Sequence, residues 1–161
     1  MIQISQSVMV ARPIDDVFRY VCDEYFEHAT KWNPATVQLK KTAPGPVGIG
    51  TTGFEVQNIK GKSYERHFAV REWERNKRFA FVTVQSQFEK NYRCEFRFEP
   101  AGSGTRITVD VEIEIDTPMF RYLKPVAERT IRKDLETQVT TLLKSAIERS
   151  LNQLKPSHVL V

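Results

Sequence analysis

The sequence predicts an α+β fold in which a curved, seven-stranded antiparallel sheet surrounds one long C-terminal helix. Apolar and polar residues alternate over residues 36–116, as in strands with one buried face. Over residues 118–151 the apolar spacing becomes helical. Because the strands follow one another through short turns, they must pair antiparallel, which excludes a doubly wound parallel sheet.

One strand and two short helices come before this run of strands. Alternate apolar residues over 2–10 predict a half-buried strand, which Pro13 ends. Apolar residues at helical spacing over 14–21 then predict a short helix, broken near Asp23 and resumed through Phe26.

Six further strands are predicted to form an antiparallel meander. Their turns carry residues that favour reversals, for example Gly61 and Asn76. In the last strand Asp110, Glu112 and Glu114 oppose the isoleucines, so we expect them to face solvent and not to act as general acids or bases. The six predicted strands are residues 37–41, 51–59, 62–73, 78–86, 90–100 and 105–116.

The long helix is expected to cover the apolar face of the sheet. Thr117 and Pro118 make a favourable start, a capping hydroxyl before a proline that has no N–H. One helix is narrower than seven strands, so the sheet must curl around it and we expect a cavity between them. The apolar stripe comprises Phe120, Leu123, Ala127, Ile131, Leu135, Val139, Leu142, Ala146 and Ile147.

Length and composition indicate one domain in a reducing compartment. The 161 residues predict a single domain over 1–153 with a tail at 154–161. Cys22 and Cys94 belong to no metal-binding motif, so we expect buried thiols in a soluble cytoplasmic protein without metal or cofactor. The sequence shows no signal peptide and no membrane-spanning stretch. The net charge of +4 arises from intermixed bases and acids, so we expect no nucleic-acid partner and a monomer or homodimer.

Five segments together resemble a known superfamily. They are the first strand, the helix start VARPIDDVFRYV, the following WNPATV, the glycine-rich GPVGIGTTG and the long last helix. Over nearly the whole chain the sequence resembles the START-like (SRPBCC) superfamily, specifically its polyketide cyclase/dehydrase and lipid-transport branch. The resemblance implies a helix-grip fold whose cavity binds lipids, polyketides, plant hormones, sterols or quinones, and which catalyses a reaction in a minority of members. Fold alone does not choose among these functions.

A ligand in such a cavity needs apolar walls and a few polar groups. Arg66 shares the parity of inward-facing aromatic residues, so it could meet a ligand carboxylate or phenolate, unless a bulge turns it outward or an internal acid pairs with it. Tyr92 would donate a second hydrogen bond. Trp32 either plugs the end of the core or lines the cavity mouth. The predicted apolar contacts are Phe54, Phe68, Phe81, Phe96, Ile113, Phe120 and Leu123.

Two motifs have simpler explanations than the chemistry they suggest. The segment 48–53 matches the dinucleotide pattern GxGxxG, but a strand pattern follows it instead of a helix, so we predict a turn with a bulge. The family resemblance implies that this turn lies near the cavity mouth. His28 has no second ligand at metal spacing, so we expect an exposed or hydrogen-bonded histidine and not a catalytic one.

These observations favour binding, with transport or sensing as its purpose, of a small hydrophobic molecule such as a lipid, polyketide, phenol, quinone or sterol. Two alternatives stay open. The first is a polyketide cyclase or dehydratase that moves protons with isolated cavity groups, although no inward carboxylate or histidine is predicted. The second is a protein-interaction domain with a vestigial cavity, whose partner would bind either the helix or the outer sheet face, for example near Trp73.

Overall fold

The computed structural model describes residues 1–115 and 118–150, without the side chains of 119–121. Its strands are β1 Ile2–Val10, β2 Thr36–Lys41, β3 Thr52–Ile59, β4 Lys62–Glu74, β5 Arg78–Ser86, β6 Asn91–Ala101 and β7 Gly104–Glu114. They form one sheet in the order β1-β7-β6-β5-β4-β3-β2, and every neighbouring pair is antiparallel. This arrangement confirms the predicted α+β fold.

Short helical segments connect β1 to β2 and close one end of the sheet. Helix α1 spans Ile14–Phe18 and helix α2 spans Tyr25–His28, with a π-helical turn at Arg19–Asp23 between them. A single 3-10 turn at Ala29–Lys31 follows α2. The predicted break near Asp23 therefore corresponds to the end of the π-helical turn.

The long helix α3 begins at Pro118, as predicted, and spans Pro118–Thr137. A π-helical turn at Gln138–Leu143 follows, and the chain stays helical to residue 150. The predicted capping residue Thr117 and the predicted tail 154–161 lie outside the described residues.

Among the described side chains of the long helix, those that pack into the core lie in its C-terminal half, from Ile131 onward. Its first turns expose apolar side chains, with Leu123 at 47% and Val126 at 63% of full exposure. The predicted stripe is therefore correct from Ile131 onward, where the helix joins the core cluster, and wrong at Leu123. The buried helix residues are spaced four apart: Leu135, Val139, Leu143 and Ile147.

The prediction that Phe54 faces the interior is wrong. In β3 the buried residues are Gly53 and Glu55, whereas Phe54 lies on the opposite face with its ring centroid 5.0 Å from that of His67. Glu55 tolerates burial because Arg66, its cross-strand partner in β4, supplies a compensating charge. In this strand the apolar alternation therefore marks the outer face.

The glycine-rich segment 48–53 is a turn that enters β3 directly, as predicted, and no helix follows it. Gly50 has a φ of 89°, a left-handed conformation that favours glycine. Gly53 is needed for a different reason: a Cβ at this position would lie 2.3 Å from Cζ of Phe68. The bare backbone of Gly53 therefore leaves the space that the buried Phe68 ring fills.

Gly53→Ala should destabilise the fold, because the new methyl group must displace the Phe68 ring in a close-packed core. Overpacking of this kind lowers the free energy of unfolding by about 1–3 kcal/mol. Urea unfolding measures the change. Gly48→Ala is the matched control, since nothing lies within 4 Å of a Cβ there. Equal stability of the two variants would contradict the close contact.

Candidate functional site: a cavity between sheet and helix

A cavity lies between the concave face of the sheet and the long helix. It has two adjoining compartments, with volumes of about 150 Å³ and about 40 Å³. The sheet supplies one wall through β6 and β7, and the helix supplies the opposite wall near its π-helical turn. The residues that line both compartments are Asn33, Tyr92, Val111, Leu135 and Gln138.

The smaller compartment is lined by both aromatic and polar side chains. Phe81 and Phe96, two of the predicted ligand contacts, form part of its sheet wall. Trp32 is only 5% exposed and also lines this compartment, so it plugs the core and forms a cavity wall at once. The other residues that line only this compartment are Tyr25, Cys94, Val109, Val139 and Leu143.

The larger compartment carries the charged groups. Arg66 and Glu89 line it beside Tyr92, and both charged side chains are buried. Asp134 lines it from the helix and is exposed to solvent. Arg66 and Tyr92, which sequence reasoning assigned to the polar end of a ligand, thus meet in one compartment. Its remaining lining residues are Ala35, Gln57, Phe88, Ile113 and Ile131.

Two buried carboxylates hold Arg66 in place. Its Nη1 lies 2.6 Å from Oε1 of Glu55, and its Nε lies 2.5 Å from Oε1 of Glu89. Nη2 donates a hydrogen bond of 3.3 Å to Oε1 of Gln57. The guanidinium carbon is 4.2 Å from the centroid of the Tyr92 ring, within cation–π range. Arg66 therefore faces inward, and internal acids pair with it, which is one of the alternatives that the sequence left open.

We call Arg66, Glu55 and Glu89 the Arg66 cluster. Thr36 donates a hydrogen bond of 3.0 Å to Oε2 of Glu55, so both oxygens of that carboxylate have partners. Thr83 donates one of 3.3 Å to Oε1 of Glu89, the oxygen that also contacts Arg66. With all three groups ionised, two carboxylates face one guanidinium, and the cluster carries an excess of one negative charge.

The sequence analysis missed both acids of the Arg66 cluster. A signal for Glu55 was present in the turn between β3 and β4, where Lys60 and Gly61 have φ values of 51° and 82°. Two central residues with positive φ make a type I′ hairpin, and a two-residue loop fixes the register that sets Glu55 opposite Arg66. Glu89 lies in the connection between β5 and β6, where the alternation of a strand does not predict which way a side chain points.

Burial sets the protonation states of the cavity groups. It raises the pKa of Tyr92 well above its usual value and raises the pKa of Cys94 to about 12. For Arg66, burial alone lowers the pKa, but the negative charge of Glu55 and the neighbouring Tyr92 and Glu89 more than reverse this effect. At neutral pH Tyr92 is therefore a neutral phenol that can donate a hydrogen bond, and Arg66 is a permanent cation.

The remaining predicted ligand contacts are distributed unevenly. Ile113 lines the larger compartment. Phe68 is buried against Gly53 in the core and lines neither compartment. Leu123 lies on the exposed first turns of α3 and Phe54 on the outer sheet face, so neither lines the cavity, contrary to prediction. The side chain of Phe120 lies outside the described residues.

His28 is hydrogen-bonded, as expected, and lies outside both compartments. Its Nε2 is 3.0 Å from Oε1 of Glu24, its Nδ1 is 3.0 Å from Nζ of Lys31, and its ring stacks on Tyr20 at 4.0 Å between centroids. Glu24, Glu27 and His28 each place one atom that could bind a metal ion within 4.8 Å of the other two. These contacts satisfy the imidazole within its own helical segment.

The sequence over residues 1–155 matches the family model described as polyketide cyclase / dehydrase and lipid transport. The chain belongs to this family. No curated protein matches this chain significantly. Within the described residues, none of the helices combines the length and the apolar character needed to cross a membrane.

Solved structures show the same fold at low sequence identity. TTHA0849 from Thermus thermophilus superposes with a TM-score of 0.77 at 19% identity, covering 92% of this chain and 98% of its own. A START superfamily protein from Mycobacterium smegmatis gives 0.65 at 23% identity, covering 86% and 97%. The di-domain ARO/CYC StfQ from the steffimycin biosynthetic pathway gives 0.64 at 15% identity, covering 94% of this chain and 52% of StfQ. At these low identities, the three comparisons show a shared fold.

Arg66→Leu should destabilise the protein strongly, because it leaves Glu55 and Glu89 buried without a counter-charge. Breaking a buried pair in this way costs about 3–5 kcal/mol of unfolding free energy. Arg97→Leu is the control: Arg97 pairs with Asp110 at 2.6 Å but is half exposed, so we expect a loss below about 1 kcal/mol. Urea unfolding compares the two, and similar losses would argue against a structural role for the Arg66 cluster.

Neither cysteine should react in the folded protein. Both thiols are buried, and burial raises both pKa values, that of Cys94 to about 12. At pH 8 such a thiol is roughly one part in ten thousand thiolate, the form that reacts. A chromogenic thiol reagent should therefore count no thiols in native protein and two in urea. Rapid labelling of native protein would show that one of the sites is open.

Proposed function

We propose that this protein binds a small, mainly apolar molecule in the cavity between its sheet and its long helix. The observation that carries the proposal is a compartment of about 150 Å³ joined to a smaller one, lined by apolar side chains and a few polar groups. Apolar walls with a small set of placed polar groups are typical of small-molecule sites. Membership of a family described by lipid transport supports the same function.

The volume of the cavity favours small ligands among the classes considered. An apolar cavity of about 150 Å³ accommodates a benzene-sized molecule. The larger compartment has a similar volume, and the smaller one could take a short extension. Phenols and other one-ring molecules therefore fit this interior better than sterols or long-tailed quinones. Burial of apolar area, at about 25 cal/mol per Å², would supply most of the affinity.

Binding is favoured over catalysis by the positions of the histidines. His28 is engaged by Glu24 and Lys31, and His67 packs against Phe54 on the outer sheet face. Neither lines a compartment, so within the described residues the cavity has no imidazole to act as a proton shuttle. The likeness to StfQ is one of fold and does not change this preference.

A larger side chain inside the cavity should prevent ligand binding. One-ring ligands such as 2-phenylethanol should raise the Tm of the wild-type protein in a concentration-dependent way, because they bind the folded state alone. Leu135→Phe introduces a ring where the two compartments meet and should abolish the shift. Leu123→Phe is the matched control on the same helix, at an exposed position away from the cavity, and should keep it.

Native mass spectrometry of protein purified from its own source extends this test to the natural ligand. A co-purifying mass should be present in the wild type and in Leu123→Phe, and absent from Leu135→Phe. No thermal shift with a broad panel of one-ring molecules, together with no co-purifying mass, would exclude the proposed function.

A further inference from the structure

We infer that the cavity selects ligands whose polar end is a protonated amine over ligands that end in a carboxylate. The inference rests on the proposed binding function and specifies the chemical class of the ligand. It follows from the charge balance of the larger compartment and from the hydrogen bonds of Glu89.

Arg66 is a poor partner for an anionic ligand, because two carboxylates already face it. Its guanidinium is engaged by Glu55, Glu89 and Gln57, and the ring of Tyr92 covers one of its faces. A ligand carboxylate on the remaining N–H groups would place a third negative charge around one buried guanidinium, which is costly. The arginine that sequence analysis assigned to an anion therefore serves an internal role.

Glu89, unlike Arg66, can accept a hydrogen bond from a ligand. The residue is 4% exposed and lines the larger compartment, so its carboxylate is shielded from bulk water. Arg66 and Thr83 both bind its Oε1, and no described residue donates a hydrogen bond to its Oε2. Its Oε2 is therefore an acceptor at the cavity wall that a ligand can use, and an ammonium group is the donor that complements a carboxylate best.

The surrounding charges act in the same direction. Among the described residues, Arg66 is the one basic residue that lines the larger compartment, whereas Glu89 and Asp134 are acidic and Glu55 lies directly behind Arg66. A ligand cation neutralises the excess negative charge of the Arg66 cluster, whereas a ligand anion adds to it in a region of low dielectric constant. This local acidity contrasts with the net charge of +4 of the whole chain.

The rest of the ligand then has a defined place. With its ammonium at Glu89, the ligand can keep its aromatic ring in the larger compartment beside Ile113 and Ile131, because the smaller compartment of about 40 Å³ has room only for a short extension. The structure therefore assigns an arylalkylamine, with one ring and a short linker, as the ligand class.

Three ligands of matched shape test the inference on the intact protein. They are 2-phenylethylamine, 2-phenylethanol and 3-phenylpropanoate, which present a cation, a neutral hydroxyl and an anion on the same phenylethyl body. Calorimetric titration at pH 7 should give amine affinity at least about 10-fold above that of the carboxylate, as expected for one charge-assisted hydrogen bond. The alcohol should lie between them.

Glu89→Gln removes the charge while keeping the shape. It should weaken amine binding by about 10-fold and leave alcohol binding within about twofold. Glu95→Gln is the matched control, because Glu95 is also ion-paired, with Arg93 at 3.3 Å, but does not line the cavity. It should change neither affinity.

The outcomes separate the two proposals. If none of the three ligands binds, the proposed function fails for this ligand size. If the alcohol or the carboxylate binds the wild-type protein at least as well as the amine, the cavity binds ligands but the amine preference is wrong. Should Glu89→Gln fail to fold, the order of the three affinities in the wild type still decides.

Discussion

The buried ion pairs of Arg66 are the constraint on which the wall of the cavity depends. Arg66 in β4 contacts Glu55 in β3 and Glu89 between β5 and β6, and Thr36 in β2 completes the bonding of Glu55. Charged groups tolerate burial only when their partners are held at hydrogen-bonding distance. The cluster therefore fixes the relative positions of four chain segments along one side of the sheet, and the larger compartment opens directly onto it.

Most of the fold could be predicted because strands such as β1 and β7 largely alternate between core and solvent. Strand β4 spans Lys62–Glu74 against a predicted 62–73, and β7 spans Gly104–Glu114 against a predicted 105–116. The start of the long helix at Pro118 was equally clear, since proline is favourable only in the first turn. Where pattern, turn chemistry and capping agree, the sequence specifies the element.

The errors arise where a side chain depends on a distant partner. Alternation assumes that the buried parity is the apolar one, and β3 reverses this because the interior there needs Glu55 beside Arg66. Leu123 lies on an apolar helix face, but an amphipathic stripe does not say how far the opposing surface extends. For the site, strand parity left the orientation of Arg66 open, because a bulge could have turned it outward, and Glu89 comes from a connection whose path only the folded sheet determines.

The π-helical turn at Gln138–Leu143 limits the mutations that the long helix can accept. Residues spaced four apart drift around a regular α-helix, because each turn contains 3.6 residues. A π-helical turn, with i to i+5 hydrogen bonds, contains more residues than an α-helical turn. Ile147, which is fully buried, therefore lies on the same face of the helix as Leu135. Loss of one residue here would rotate everything beyond it by about 100° relative to the core. In this segment the number of residues is a stricter requirement than their identity.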